Sequence, residues 1–477
     1  MSALTALIMA AGQGTRMLSE KPKVLHEICG RPMVAWPVHA AREAGAGRVC
    51  VIVSPDHDLS PALPDGAETV VQPNADGTGG AIRAARDVVA ESETVLVLSG
   101  DTPLVRGSDL AELIAAHEKA GAAATVMTTE LDDPGSFGRI VRGAGTQVER
   151  IVEAKQPGDA TPAQLEITEV NVGVYAFAGP ALAEALERIP NDNAQREYYL
   201  PDALPSIRDA GGKVVAHLVG DPAVNLGVND RADLARVTQE ARRRILLEHM
   251  RAGVTIDDPE STWIDADVQL APDVTIAPGS SLRGASAVGS GSVVGPMTSL
   301  IDSRLGRDVS VPHSYLVECV VGDGASVGPF AYLRPGAELG EGAKAGTFVE
   351  IKNSEIGPGA KVPHLAYVGD ADIGAGANLG AGTITANYDG FRKHRTKVGE
   401  RARLGVDTSL VAPVEVGDGA YTGAGSVITE DVPDGALGIA RSSQENVEGY
   451  SERAEQTKSK KTKSKKTKSQ KTKGKGS

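Results

Sequence analysis

The chain reads as two architectures in series: an α/β domain on a mostly parallel sheet, then a parallel β-helix of hexapeptide repeats. Three observations predict this. Apolar runs alternate with helical patterns up to residue 251, an aliphatic residue recurs every six positions from residue 264, and glycine is abundant (56 of 477) where aromatics are scarce (2 Trp, 9 Tyr, 5 Phe). Strands alternating with helices imply βαβ units, and a hexad period marks a β-helix. Glycine without a Gly-X-Y period excludes collagen, and 41% hydrophobic with 23% charged residues excludes wholesale disorder.

In the first part, residues 4–10 (LTALIMA), 48–53 (RVCVIV) and 94–98 (TVLVL) predict buried strands, and 80–91 and 108–120 predict helices. Ligands of such sheets sit beyond the carboxyl ends of the strands, so the loops after residues 10, 53 and 99 face the site. Residues 230–251 predict one amphipathic connecting helix, with Leu234, Val237, Ala241, Ile245 and Met250 near one face and Asp230 as its cap. The hexads then run Ile264, Leu270, Ile276, Leu282, Val288, Val294, Leu300; Val321, Val327, Leu333, Leu339, Ala345, Ile351; Ile356, Val362, Val368; Ile373, Leu379; and Val398, Leu404, Leu410, Val416, Thr422, Ile428. Three hexads make a coil, whose rungs leave no room for aromatics. The expected divisions are 1–230, a linker helix 231–252, a β-helix 253–450 and a Lys-rich tail 451–477.

The overall charge of −13 hides an asymmetry, because residues 457–477 hold ten lysines and no acid. The body is therefore strongly acidic, and an anionic substrate must be met by locally aimed cations. The tail, low in complexity and self-repelling, is expected to be disordered. Cys29, Cys50 and Cys319 are too few and scattered for a disulfide framework or a thiolate metal site. No run of 18 apolar residues and no basic leader is present, so a cytoplasmic protein without a membrane span is expected.

Several motifs carry chemistry. The first strand enters AAGQGTRM (Ala10, Ala11, Gly12, then Arg16), followed by PKVL with Lys23. Backbone N–H groups of such a turn can cradle phosphates, and the two cations would offset a nucleoside triphosphate. The third strand ends in LSGDTPL, which places Asp101 where a carboxylate can hold Mg²⁺, with Asn229 of LGVND as the second oxygen. Glu153 (IVEAK), Asn171 (VNVGVY) and Gly138 (FGRI) suit sugar hydroxyls and an N-acetyl group, and Gln72 with Gly77 and Thr78 (VVQPNADGTGGA) suits a base. In the repeats, His364 (KVPHLAY) can take a proton from an amine. Arg334 (LRPGA), Lys352 (VEIKN) and Lys393 are single cations suited to a sugar phosphate. Thr383–Thr396 (TITANYDGFRKHRT) breaks the period and is expected to leave the β-helix as a loop carrying Asn387, Tyr388 and Lys393.

The GxGTRM and PKVL pair resembles the signature of sugar-nucleotide pyrophosphorylases. With the repeats and the NYDG loop, residues 3 to about 450 resemble the bifunctional N-acetylglucosamine-1-phosphate uridyltransferase/glucosamine-1-phosphate acetyltransferase family. The resemblance implies a Rossmann-like nucleotidyltransferase domain and a left-handed β-helix. It also implies acetyl-CoA-dependent acetylation of glucosamine 1-phosphate, then uridylyl transfer from UTP to N-acetylglucosamine 1-phosphate with release of pyrophosphate. The resemblance further implies that the UDP-sugar feeds cell-envelope synthesis, peptidoglycan and lipid A. By the same resemblance Arg16 and Lys23 bind phosphates, Gln72 and Gly77 read uracil, Gly138, Glu153 and Asn171 hold the sugar, and Asp101 with Asn229 bind one Mg²⁺. His364 is the base. Glu350, Arg334, Lys352, Tyr367, Asn378, Asn387, Tyr388 and Lys393 meet the substrate of acetylation, and Ala381, Val406, Ala424 and Arg441 hold acetyl-CoA. A homotrimer with CoA sites shared between chains is implied too. Departures from the family include Ala75 and Gly80, in ADGTGGA where it reads QLGTGHA, and Val406, where serine is common. Two alternatives are a pyrophosphorylase whose β-helix is only a scaffold, and a scaffold whose tail binds nucleic acid or another polyanion; neither is favoured.

Overall fold

The structure is a computed structural model that describes residues 2–143, 147–154, 158–192 and 196–473. The chain divides into two compact units, Met1–Phe348 and Val349–Ser477.

The first unit opens with a nine-stranded sheet. Its path runs Val214–Leu218, Ala124–Glu130, Glu169–Ala178, Ser92–Ser99, Ser2–Met9, Arg48–Val53, Glu68–Val71, and the hairpin Arg139–Arg142 with Val148–Val152 joins at Glu169–Ala178. All three predicted strands are there, side by side and parallel, with Ser2–Met9 between the other two. Glu169–Ala178 is antiparallel to both its neighbours. Successive strand residues point to opposite faces: Leu7, Val97 and Phe177 belong to one core layer, Ile8, Leu98 and Val174 to the other. Helices cover both layers. The helix expected at 80–91 is broken at Ala85 into Gly77–Ala84 and Arg86–Ala90, and the other spans Gly107–Ala120.

The connecting helix is Arg231–Arg251, capped by Asp230, whose Oδ1 accepts the N–H groups of Ala232 and Asp233 at 2.8 and 2.9 Å. Val237, Ala241, Ile245 and Leu246 are buried. Leu234 and Met250 are only half-buried. Arg244 ties the helix down, donating to the Leu104 carbonyl at 2.6 Å and to Asp221 at 3.0 Å.

The first unit continues into hexapeptide coils over Thr255–Thr347, in which strands sixteen to eighteen residues apart pair in parallel, as Ile276 with Val294 and Leu300 with Leu316. The second unit repeats the pattern, Ile351 pairing with Val368 and Leu410 with Ile428. Every hexad residue predicted from the period is buried except the half-buried Leu270. The expectation that the rungs exclude aromatics holds only for the buried column: Trp263, Tyr315, Tyr332, Tyr367 and Tyr421 lie in the strands, none of them buried, because alternate strand residues face outward. Met297, His313, Phe330 and Phe348 occupy left-handed corners, and Phe330 stacks on Phe348 at 5.5 Å and meets His313 at 5.4 Å.

Two expectations need correcting. The stretch Thr383–Thr396 does not leave the coils whole: Ile384–Ala386 is still a strand, paired with Ser409–Val411. The buried hydroxyls of Thr383 and Thr385, bonded to the carbonyls of Gly380 and Gly369, hold it in. The tail is helical over Tyr450–Lys473 rather than disordered. The expectation rested on low complexity and self-repulsion; but the segment lacks Gly and Pro, and Lys, Gln and Glu are good helix formers. Thr457 and Thr462 return their hydroxyls to carbonyls four residues back. The final residues, 474–477, lie outside the described residues. All three cysteines are free and buried, and burial pushes the Cys29 and Cys319 thiols up to about 12 and 11.

Candidate functional sites

A cleft of about 740 Å³ opens beyond the carboxyl ends of the central strands. Ala10, Ala11, Gly12, Lys23, Gln72, Gly77, Thr78, Asp101, Glu153 and Asn171 line it together. Residues some 160 positions apart in sequence therefore share one concavity.

The glycine turn forms one wall. Gly14 is left-handed, and a Cβ there would stand 2.5 Å from that of Lys23, so glycine lets the turn close against the lysine. Lys23 Nζ meets Asp101 Oδ2 at 2.5 Å, with the lysine side chain 13% and the carboxylate 27% exposed. Ser99, two residues before Asp101 on the same strand end, donates to its other oxygen at 2.6 Å. Arg16 and Asn229 do not line the cleft; Arg16 donates to Asn229 Oδ1 at 2.9 Å. The backbone of Asn229's neighbour Val228 donates to the Asp101 carbonyl at 3.0 Å, which brings the segment alongside. The two expected metal oxygens are thus each paired with an expected phosphate cation. One carboxylate and one amide oxygen are hard donors that fit Mg²⁺, an ion that keeps several waters and takes few protein oxygens.

On the opposite side, Asn171 donates to the Tyr175 hydroxyl at 2.8 Å and accepts the Gly173 N–H at 3.0 Å, which fixes its amide. Burial pushes the Tyr175 phenol up, so it stays neutral. Gly138 lies behind: its carbonyl accepts the Asn171 N–H at 2.9 Å, and a Cβ there would stand 2.9 Å from Ile151. Sequence reasoning missed Ser99, Tyr175, Glu197 and Tyr199. Ser99 sits in the LSGD motif and could have been read from it. Glu197 and Tyr199 carry no local signal and arrive because the Tyr198 carbonyl accepts the Gly79 N–H at 2.6 Å.

The second unit gathers another set. Glu350–Lys352 pairs with Tyr367–Gly369, setting Glu350 beside Tyr367 and Lys352 beside Gly369. A Cβ at Gly369 would stand 2.5 Å from the Tyr367 hydroxyl and 2.9 Å from Asn387 Nδ2, so the missing side chain lets both groups converge. Beneath them Asp370, a residue the sequence did not single out, is 7% exposed. Asn353 donates to its Oδ1 at 2.6 Å and Asn387 to its Oδ2. Burial raises this carboxyl, but those two amides and the charges of Lys352 and Lys393 outweigh it and hold it below the ordinary range. Lys393, beside Lys352, is held below the usual lysine range by that neighbour.

The excursion Asn387–Arg395 is closed by the Asn387 carbonyl accepting the His394 N–H at 2.8 Å. Asp389 accepts the N–H groups of Phe391 and Arg392 and faces His394 Nε2 at 2.7 Å. Tyr388 is exposed, its hydroxyl on the Gly390 carbonyl. His364 ends the strand Lys361–His364 with its ring exposed. Asn378 bridges Lys361 and Arg403. Ala381, Val406, Ala424 and Arg441 fall on consecutive corners: Asp407 N–H bonds the Ala381 carbonyl, Gly425 N–H the Val406 carbonyl, and Arg441 the Ala424 carbonyl at 3.0 Å. Arg334 belongs to the first unit, its guanidinium 5.8 Å from the Tyr332 ring.

Comparison with known proteins adds to this geometry. Residues 6–204 match the MobA-like NTP transferase domain. Proteins described as bifunctional protein GlmU align along most of the chain. That of Kineococcus radiotolerans is 50% identical over 451 residues, 93% of this chain and 91% of its own. That of Clavibacter sepedonicus is 48% identical over 456 residues, 94% and 92%, and that of Mycobacterium tuberculosis 46% over 457, also 94% and 92%. This chain belongs to the bifunctional GlmU family. It is the family the sequence resembles, so the chain pairs a nucleotidyltransferase domain with a left-handed β-helix and carries both transferase activities. The reading of the β-helix as a scaffold without activity gives way. Among the described residues no helix is long and apolar enough to cross a membrane.

Proposed function

We propose that the 740 Å³ cleft is where UTP and N-acetylglucosamine 1-phosphate react. The observation that carries this is the convergence in it of the glycine turn, Lys23 with Asp101, Gln72, Glu153 and Asn171. N–H groups of the turn from Ala10 to Gly14 and the cations Lys23 and Arg16 receive the phosphates. Gln72 with Gly77 and Thr78 meets the uracil, while Glu153 and Asn171, backed by Gly138, orient the sugar. Asp101 and Asn229 would hold Mg²⁺, which when bound neutralises phosphate charge. A phosphate oxygen of the sugar attacks the α-phosphorus of UTP and pyrophosphate departs. Positioning and charge neutralisation carry the acceleration, so no protein nucleophile is needed.

In the second unit His364 takes the proton of the glucosamine amine as that nitrogen attacks the acetyl thioester, and returns it to the sulfur as the C–S bond breaks, so CoA leaves as its thiol. Lys352 and Lys393 draw the sugar phosphate, and Tyr367, Asn378, Asn387 and Tyr388 contact the sugar or the acyl donor. The corners Ala381, Val406, Ala424 and Arg441 carry acetyl-CoA. Arg334 keeps the substrate-binding role that the resemblance implies. The exposed apolar corners Met297, Phe330 and Phe348, each more than half exposed, support assembly of copies of the chain, in this reading a homotrimer. The functional divisions remain 1–230, 231–252, 253–450 and the tail, in a cytoplasmic enzyme whose tail lysines are a solvated appendage. Chelation tests the metal assignment: EDTA should stop pyrophosphate release and leave acetylation intact, and equal loss of both would refute it.

A further inference from the structure

The departure at Gly80 is part of one arrangement that also includes Gln72 and Asp76. Gln72 is 6% exposed and lines the cleft. Its Nε2 donates to Asp76 Oδ1 at 2.8 Å and to the Gly77 carbonyl at 3.2 Å. Carboxylate and carbonyl oxygens only accept, so this end of the amide is the NH₂ and both its hydrogens are committed within the protein. What remains for a ligand is Oε1, an acceptor. Asp76 can lie there because residue 80 has no side chain: a Cβ at Gly80 would stand 1.9 Å from Asp76 Oδ1. The carboxylate at 76, where the family string has leucine, and the glycine at 80, where it has histidine, therefore depend on each other.

We infer that Asp76 is a specificity-determining residue, which locks the Gln72 amide with its oxygen towards the base so that the site requires a donor at N3 of the pyrimidine. Uracil carries N–H at N3 and satisfies the lock. Cytosine carries a lone pair there and leaves two acceptors facing each other, a desolvated mismatch. A freely turning glutamine could offer NH₂ to cytosine, so the lock supplies the discrimination. This rests on the reading that Gln72 meets the base, and the experiment separates the two.

The kcat/KM for UTP and for CTP would be measured by pyrophosphate release in the full chain, with acetyl transfer as a check that each variant is folded. Asp76→Leu should narrow the UTP to CTP preference by about tenfold, the worth of one hydrogen bond, with CTP gaining. Gly80→Ala should do the same by displacing the carboxylate, and the double variant should be no worse than either single one. Asp76→Asn, which keeps an accepting oxygen, should retain most of the preference. If Gln72→Ala collapses the preference while Asp76→Leu leaves it unchanged, the lock is refuted and the base-reading role stands. If Gln72→Ala leaves it unchanged, the underlying reading falls. Equal loss toward both nucleotides in Asp76→Leu and Gly80→Ala counts against the lock as well.

Discussion

Asp370 is the residue on which the groups proposed for acetyl transfer in the second unit turn, because a buried carboxylate persists only when its oxygens are satisfied. Asn353 and Asn387 satisfy them. As the carboxylate can only accept, Asn387 must present its NH₂ to Asp370 and its carbonyl oxygen to the other side. Asp370→Ala should therefore lower kcat for acetyl transfer by about ten- to a hundredfold, the cost of leaving the buried Asn387 amide unpaired, with pyrophosphate release unchanged; steady-state kinetics of both half-reactions check it. Val406 is half exposed on the line of corners assigned to acetyl-CoA. Val406→Ser should strengthen acetyl-CoA binding by about 1 kcal/mol, one hydrogen bond, read by calorimetry.

At the scale of elements, the Asn387–Arg395 excursion stays folded through Asp389. The N–H of Arg392, the His394 ring and the N–H of Phe391 pull its carboxyl down to about 2. Because the folded value lies below the ordinary one, the stabilisation is complete above pH about 4 and is lost as pH falls through about 2. NMR titration of the Asp389 carboxyl should find its midpoint near 2; a midpoint near 4 would show that the excursion does not hold these bonds. Legibility differs sharply between elements. The hexads were readable because one aliphatic residue per six is dictated by coil geometry, so Leu300 or Val416 needed no partner to identify it. The break of the helix at Ala85, the strand within Thr383–Thr396 and the helical tail were not. The last two depend on balances that period does not encode: two buried threonine hydroxyls, and local helix propensity.

At the scale of the molecule, the scarcity of aromatics is an interior rule only. Phe330 and Phe348 stack at exposed corners, where an unaccompanied apolar ladder is costly. For the proposed homotrimer, Phe330→Glu with Phe348→Glu should shift the sedimentation towards monomer, whereas truncation after residue 449 should leave it unchanged. The candidate sites were legible wherever a motif kept its chemistry together in sequence, as LSGD did for Asp101 and the glycine turn for Lys23. Asp76, Asp370 and Tyr175 were invisible because each acts by bonding another side chain, a relation visible only after folding. The central claim is that one chain holds two separable active sites. Asp101→Ala and His364→Ala, each assayed for both half-reactions, test it most directly. The first should lose UDP-sugar formation alone and the second acetyl transfer alone; loss of both activities in either well-folded variant would contradict the account.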